Sequence, residues 1–108
     1  MASRYLGEFE QVVLLAILQC GSTANGYAIR RALEDEVNRS VSKGAFYTTL
    51  DRLEEKGYLR WELREPTEAR SQMPQRHFEV TPEGLDELRR SRAALLKLWT
   101  GLEGMLDA

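Results

Sequence analysis

The spacing of hydrophobic positions changes along the chain, and each change predicts an element. Residues 8–20 are apolar on most sides, which is typical of a helix buried on more than one face. A break at Gly21-Ser22-Thr23 ends this helix. A second helix is predicted after it, with Thr23 or Asn25 as its N-cap. Its inner stripe consists of Tyr27, Ala28, Ile29, Ala32, Leu33 and Val37.

A third helix is predicted from Ser42, a suitable N-cap, to Gly57, a left-handed stop. Phe46, Leu50 and Leu53 recur at i, i+4 and i+7, so they share one stripe that faces inward. The opposite face carries small, hydroxyl-bearing and basic side chains. A helix needs such a slender face to enter the major groove of DNA, although an amphipathic core helix with a plain exterior is the alternative. The face consists of Lys43, Gly44, Ala45, Tyr47, Thr48 and Arg52.

A hairpin is predicted after the third helix, because the hydrophobic period changes to two. Residues 59–63 alternate apolar and charged side chains, which indicates a half-buried strand with Trp61 in the core. Residues 65–74 contain two prolines and no apolar period, so they form a loop, and residues 77–80 form the returning strand. Helices two and three, joined at residues 38–41, make a helix-turn-helix, and the hairpin makes it a winged helix.

The last helix is predicted to begin at Thr81-Pro82-Glu83 and to run to the end of the chain. Apolar residues follow steps of three and four, broken only by Arg92, and Leu96, Leu98 and Met105 add a second strip. This is more apolar surface than a lone domain edge exposes, so we expect a homodimer. A monomer whose last helix folds back on the first is the alternative. The predicted dimer interface consists of Phe9, Val13, Leu88, Leu95, Trp99, Leu102 and Leu106.

Composition is that of a single small globular domain. The 108 residues are 43% hydrophobic and 30% charged, and no segment resembles a membrane span or a signal peptide, so we expect a cytoplasmic protein. Cys20 is the only cysteine, which excludes an internal disulfide and a thiolate metal site. His77 is the only histidine, and we expect it on the surface of its strand with no metal or cofactor. The net charge of -2 still permits a local basic face.

The sequence lacks the residue arrangements that catalysis needs. It has no glycine-rich phosphate loop, no second histidine and no paired nucleophile and base, so we do not expect an enzyme. A winged helix that binds only protein is the alternative to one that binds DNA. A winged helix that binds only protein would have lost its basic face. Five arginines argue against this alternative, while the net acidity of the chain keeps it open. These arginines are Arg30, Arg31, Arg52, Arg64 and Arg70.

Four segments carry a further signal. They are LGEFE (residues 6–10), GYAI (26–29), GAFYTTLDRLEEKG (44–57) and RHFEVTPEG (76–84). Together they resemble the PadR family of bacterial transcriptional regulators, and the resemblance covers nearly the whole chain. The third segment, with the fourth at this distance behind it, is the specific part.

The resemblance implies a mainly α fold with a two-stranded β wing, in which the C-terminal helix forms a dimer. Residues 1–80 would be the DNA-binding domain, and residues 81–108 the dimerisation helix packed on it. The dimer would bind a palindromic double-stranded operator, usually as a repressor. Some members lose DNA affinity when a small aromatic or cationic compound binds near the dimer interface, so Trp99 is a candidate ligand contact as well as a packing residue.

The resemblance also implies which residues contact DNA. The wing tip RSQMPQR (residues 70–76) lacks the glycines that are common there, so contacts to the DNA backbone are expected of it rather than insertion into the minor groove. The implied contacts on the helices are Lys43, Gly44, Ala45, Tyr47, Thr48 and Arg52, with Tyr27 on a phosphate. Those on the wing are Arg64, Arg70 and Arg76.

Overall fold

A computed structural model describes residues 6–65 and 73–107. These residues form a mainly helical fold with one antiparallel hairpin, so the predicted winged helix is confirmed. The elements in chain order are α1 (Glu8–Cys20), a 3-10 turn (Gly21–Thr23), α2 (Gly26–Val37), α3 (Lys43–Glu55), β1 (Leu59–Arg64), β2 (Gln75–Val80), α4 (Pro82–Trp99) and α5 (Glu103–Leu106).

Three helices begin at side-chain caps. Asn25, Ser42 and Thr81 each accept a hydrogen bond from the backbone N–H three residues further on, at 2.8, 3.1 and 3.1 Å. These bonds satisfy donors that a helix leaves free in its first turn. After α3, Gly57 has a φ of 81°, a left-handed conformation that turns the chain into β1. The predicted starts of α3 and α4 are therefore confirmed, and Asn25 is the cap of α2.

Helices α1, α2 and α3 surround one core. Phe46, Leu50 and Leu53 are 0%, 2% and 0% exposed, which confirms the inward stripe predicted for α3. Burying each of these side chains stabilises the fold by about 1.5–3 kcal/mol. The orientation of α3 is therefore set by its inner face, and its outer face is fixed as a consequence.

The hairpin is attached to the helices along one edge. Its strands pair over their whole length, from Leu59 opposite Val80 to the outer end. The other edge of β2 pairs with the segment before α2, because the N–H of Phe78 donates to the carbonyl of Ala24 at 2.9 Å. The wing is therefore held by backbone bonds at the start of α2.

The outer part of β1 leaves the core, contrary to the half-buried strand expected. Leu59 is 2% exposed, whereas Trp61 and Leu63 are 39% and 62% exposed. Among the described residues, the helices cover only the inner end of the hairpin. The alternation of apolar and charged side chains along β1 continues beyond the part that the core covers. The prediction that Trp61 lies in the core is wrong.

Helix α2 buries a narrower stripe than predicted. Ile29 and Leu33 are 0% and 1% exposed, but Tyr27 and Val37 are 71% and 50% exposed. Both exposed residues lie in the terminal turns of the helix, and the packed stripe is confined to its middle.

Helix α4 ends at Trp99, earlier than predicted. Gly101 has a φ of 84°, which an α-helix cannot continue through, and the chain resumes as the single turn α5. The expected heptad is therefore interrupted before Leu102. Leu95 and Trp99 are 49% and 40% exposed, so the described part of the chain does not show α4 folded back on α1 as the monomer alternative requires.

Val13 is 0% exposed within the core of its own chain. A fully buried side chain cannot form part of a surface that a second chain contacts, so its prediction as a dimer contact is wrong. A helix that is apolar on several sides does not reveal which side its own domain covers. Phe9 and Leu88 are partly buried against the same core, which leaves part of each side chain accessible.

None of the helices in the described residues combines the length and the apolar character needed to cross a membrane.

Candidate nucleic-acid interface

Helix α3 presents an outer face of mostly short side chains at its N-terminal half. Lys43, Gly44, Ala45, Thr48 and Arg52 are all exposed. Apart from the two chain neighbours of Gly44 and the nearby backbone of its own helix, none of the described residues comes within 4 Å of a Cβ built on it, so this position is open to an approaching surface. The slender exposed face predicted from the sequence is therefore present.

Tyr47 differs from the rest of that face because it is partly buried. Its ring lies 5.1 Å from the ring of Phe46 at an interplanar angle of 72°. A Cβ built on Gly26 would lie 2.6 Å from the Tyr47 hydroxyl oxygen. The Tyr47 side chain therefore crosses to the start of α2, where a glycine leaves room for it.

A cleft of about 380 Å³ lies between the first turns of α2 and α3 and the start of β2. Arg30, Lys43 and Arg76 line this basic cleft, and none of the described residues that line it is acidic. The N-terminal turns of both helices also border it, and their dipoles favour an anion there. The basic cleft therefore has the charge and the donors that a phosphate group requires.

Polar groups complete the basic cleft. Asn25, Tyr27, Tyr47 and Gln75 line it, and the Asn25 amide donates to the Gln75 side-chain oxygen at 3.0 Å. Four residues that were predicted separately as DNA contacts are thus brought to one place: Tyr27, Lys43, Tyr47 and Arg76.

Arg30 is a cleft residue that the sequence reasoning did not assign to DNA. It follows Tyr27 by three positions, so both lie on one face of α2 and the spacing could have identified it. Its neighbour Arg31 points elsewhere and pairs with Asp35 at 3.6 Å. Two adjacent arginines therefore have different surroundings.

The remaining predicted arginines do not gather at the basic cleft. Arg52 is exposed two turns further along α3. Arg64 donates to the carbonyl of Ser22 at 2.9 Å and to Glu62 at 3.0 Å, which ties it to the face of the hairpin away from α3. Arg70 lies outside the described residues.

Arg76 is surrounded by aromatic rings. Its guanidinium carbon lies 5.6 Å from the ring centroid of Tyr47, 5.1 Å from that of Trp61 and 5.4 Å from that of Phe78. All three distances are within the range of cation–π attraction. The rings therefore hold Arg76 partly buried, and its contact with the DNA backbone stays a prediction.

The two halves of α3 differ in charge, because its acidic side chains lie in the C-terminal half. Asp51, Glu54 and Glu55 are exposed along its C-terminal half, away from the basic cleft. On the wing, Arg60 donates to Glu79 at 3.1 and 3.2 Å and lowers the pKa of that carboxyl group. The unbalanced positive charge of this region is therefore concentrated at the N-terminal end of α3.

His77 is partly buried, which corrects the expected surface position. It forms a β-bridge with Asn25, and its Nδ1 is enclosed with no hydrogen-bond partner among the described residues. No group of three or more potential metal ligands occurs in residues 6–65 and 73–107.

The family of the chain follows from a comparison of its sequence with family models. The model of the transcriptional regulator PadR-like family matches residues 14–90, which include α2, α3 and the hairpin. The chain belongs to the PadR-like family. No curated protein matches it.

Solved structures of PadR proteins have the same fold. A PadR family transcriptional regulator from Eggerthella lenta is 27% identical with a TM-score of 0.68, and the match covers 94% of this chain and 88% of that one. A PadR family transcription regulator from Clostridium difficile is 17% identical with a TM-score of 0.67, covering 92% and 95%. The second likeness concerns the fold alone.

Membership of the PadR-like family assigns the chain to the transcriptional regulators, which are not enzymes. This is the function class expected from the sequence. The basic cleft and the N-terminal half of α3 lie within the matched range, so the family match includes the candidate interface.

Proposed function

We propose that this PadR-like chain is a dimeric, sequence-specific repressor that binds a palindromic operator. The observation that carries the proposal is the position of the basic cleft beside the open face of α3. A phosphate in the cleft would place the N-terminal half of α3 against the adjacent major groove. Phosphate contacts fix the register of a protein on DNA, and base contacts supply the specificity.

Each residue has a role in this arrangement. Lys43 and Arg30 attract a phosphate in the basic cleft, and the Tyr27 hydroxyl binds the same strand. Gly44, Ala45 and Thr48 face the base edges, where a small side chain allows close approach and Thr48 can hydrogen-bond or contact a thymine methyl group. Arg52 contacts the backbone at the far side of the groove.

The acidic residues of α3 set its inclination in the groove. Asp51, Glu54 and Glu55 repel phosphates, so the C-terminal half of the helix lifts away from the duplex while the N-terminal half enters it. This inclination agrees with the usual helix-turn-helix geometry, in which the first turns of the recognition helix contact the bases.

The apolar surface of the last helices supports dimerisation. Leu96, Leu98 and Met105 are 56%, 74% and 73% exposed in the single chain. A second copy would cover this surface and would place two α3 helices on half-sites about 34–36 Å apart. Residues 1–80 then contact DNA and residues 81–108 hold the dimer together. Such a regulator works in the cytoplasm, on the nucleoid when bound.

Trp99 is the residue on which an effector would act. It is 40% exposed, and its two copies in a dimer would either pack together or stack on a small aromatic ligand. Quenching of its fluorescence by planar compounds, lost in Trp99→Ala while the dimer persists, supports a ligand site. Failure of a broad compound panel to quench it leaves packing as its role.

A titration with the DNA upstream of the protein's own gene tests the proposal. Operator affinity is measured at several salt concentrations for the parent chain, Lys43→Gln, Arg30→Gln and Arg31→Gln. Each cleft variant should lower affinity and reduce the slope of log affinity against log salt by about 1, because one phosphate contact is lost. Arg31→Gln is the matched control, with the same charge change outside the cleft.

Two results would contradict the proposal. Equal losses in Arg30→Gln and Arg31→Gln would mean that only overall charge matters and that the basic cleft is not the phosphate site. An intact dimer that prefers no duplex would favour the winged helix that binds only protein.

A further inference from the structure

We propose that Arg76 is a positioning residue, which fastens the wing to α3 and thereby sets the width of the basic cleft. The proposal rests on the function proposed above, since α3 is the helix that would enter the major groove. Arg76 acts through its aromatic neighbours, and its removal would change the geometry of the interface rather than delete one phosphate contact.

The face of the hairpin turned toward α3 carries Arg76. Side chains alternate along a strand, so Arg76 shares its face with Phe78, and Trp61 is paired with Phe78 across the hairpin. Leu63 is the direct partner of Arg76, which makes Trp61 its diagonal neighbour. The guanidinium carbon then reaches across to Tyr47 on α3, 5.6 Å from its ring centroid. One side chain therefore joins both strands of the wing to the recognition helix.

A second tie lies further along the same side of α3. The indole N–H of Trp61 donates to Glu54 at 2.6 Å. Tyr47 and Glu54 are seven residues apart, about two helical turns, so both lie on the side of α3 that faces the wing. Trp61 belongs to both ties, because it bonds to Glu54 and stacks on Arg76.

These ties act where apolar packing is weak. Leu59 anchors the inner end of β1 in the core, but Trp61 and Leu63 are 39% and 62% exposed. Among the described residues, the position of the outer hairpin relative to α3 therefore depends on polar and cation–π contacts. These contacts are individually modest, so the loss of one of them should let the outer hairpin shift.

The geometry of the basic cleft depends on the same contacts. Arg76 and Tyr47 both line the cleft, Arg76 from the wing and Tyr47 from α3. The Tyr47 hydroxyl in turn lies beside Gly26 at the start of α2. Loss of the guanidinium would release the ring of Tyr47 and allow α3 to move relative to the wing wall of the cleft, while the inner part of β2 stays bonded to the segment before α2.

Trp61 provides a reporter that does not require DNA. The chain has two tryptophans, so a Trp99→Phe background isolates the emission of Trp61. In this background, Arg76→Gln should shift Trp61 emission in the free protein, because the cation leaves its ring. Lys43→Gln is the control and should leave the emission unchanged. An unchanged emission in Arg76→Gln would overturn the proposal, whatever the protein does with DNA.

Operator titrations then separate positioning from direct contact. Trp61→Leu removes the ring that contacts Arg76 and the N–H that bonds to Glu54 without changing any charge. It should lower operator affinity about three- to tenfold at an unchanged salt slope, as the loss of these modest contacts implies. The double variant Arg76→Gln with Trp61→Leu should be no weaker than the worse single variant, since both break one unit. Additive losses, or no loss in Trp61→Leu, would make Arg76 a direct phosphate contact. Thermal unfolding of each variant verifies that the fold persists.

A failure of the proposed function gives a different pattern. If the parent chain binds no operator but Arg76→Gln shifts Trp61 emission, the attachment of the wing stands and the DNA assignment falls. If the parent chain binds and Lys43→Gln loses a salt-slope unit while Trp61→Leu changes nothing, the DNA assignment stands and the positioning role falls.

Discussion

Replacement of Gly44 by alanine gives a sharp test of the interface, because it should affect stability and DNA binding in opposite directions. Gly44 is the second residue of α3. Apart from its two chain neighbours and the nearby backbone of its own helix, none of the described residues lies within 4 Å of the position that its Cβ would occupy. The new methyl group therefore meets no obstacle within the chain. Alanine also forms helix more readily than glycine, so Gly44→Ala should leave the free energy of unfolding unchanged or raise it by up to about 1 kcal/mol.

The same methyl group would intrude between α3 and the duplex. Adding a methyl to a closely packed contact costs about 1–3 kcal/mol, which corresponds to a loss in operator affinity of about fivefold to 150-fold. Fluorescence anisotropy with a labelled operator measures the affinity, and urea unfolding at a fixed protein concentration measures the stability. A loss of affinity in a chain that is at least as stable cannot be ascribed to unfolding.

Gly84→Ala is the contrasting variant. A Cβ built on Gly84 would lie 2.5 Å from the carbonyl oxygen of Tyr58 and 2.9 Å from a methyl group of Val80. The clash is with backbone, so Gly84→Ala should lower the free energy of unfolding by about 1–3 kcal/mol. The reasoning would be refuted if Gly44→Ala bound the operator as tightly as the parent chain, because α3 would then not approach DNA closely at its second residue.

Three further predictions concern stability and assembly. Glu10→Ala should lower the free energy of unfolding by about 1–3 kcal/mol in urea unfolding, because it removes a largely buried charged hydrogen bond: the ammonium group of Lys56, with only 19% of its side chain exposed, donates to Glu10 at 2.8 Å. A change no larger than that of the exposed pair variant Asp35→Ala would contradict this. Arg60 lowers the pKa of Glu79, so this pair stabilises the fold above the unfolded pKa of the carboxyl group, near 4.5, and the stabilisation is lost as the pH falls through the lower folded pKa. Melting curves between about pH 2 and pH 7 should show this loss in the parent chain and not in Glu79→Gln. Parallel curves for the two proteins would argue against it. Leu95→Lys should convert the proposed dimer to a monomer in sedimentation experiments without lowering monomer stability, because Leu95 is 49% exposed within one chain. A dimer that persists in this variant would place the interface elsewhere.

Local signals in the sequence were sufficient to predict the helices and the wing. The caps Ser42 and Thr81 and the stop at Gly57 act within a few residues of themselves, so the sequence alone specifies them. The stripe of Phe46 and Leu50 likewise follows from helical period. The exposed face of α3 could then be predicted, because it is what remains when the inner face is known.

Features that depend on distant parts of the chain were missed or misjudged. Strand alternation predicted Trp61 in the core, but it cannot indicate how far the core extends beneath a hairpin. An apolar helix predicted Val13 at a dimer interface, but it cannot indicate which side its own domain covers. Arg76 illustrates the same limit for the site, since only the fold brings Tyr47 within reach of its guanidinium.

The basic cleft combines both kinds of information. Lys43 could be predicted from its place in α3, and Arg30 from its spacing to Tyr27. The convergence of Lys43 and Arg30 with Arg76 could not be predicted, because the tertiary packing brings α2, α3 and β2 together. The early end of α4 could be predicted only in part. Gly101 is a local signal in the sequence, but the cost of a glycine in a helix is too small to require a break unless the chain adopts a positive φ there.

The pairing of β2 with the segment before α2 has a consequence for the behaviour of the protein at high concentration. An open strand edge invites pairing with another molecule, and it is a common origin of aggregation. Here the inner part of one edge of the hairpin is occupied by Ala24 and Asn25 of the same chain. The strand at the other edge, β1, carries Arg60, Glu62 and Arg64 at alternate positions, each engaged in an ion pair. Charges of this kind discourage intermolecular strand addition, so the hairpin should not compete with the helices for the dimer contact proposed above.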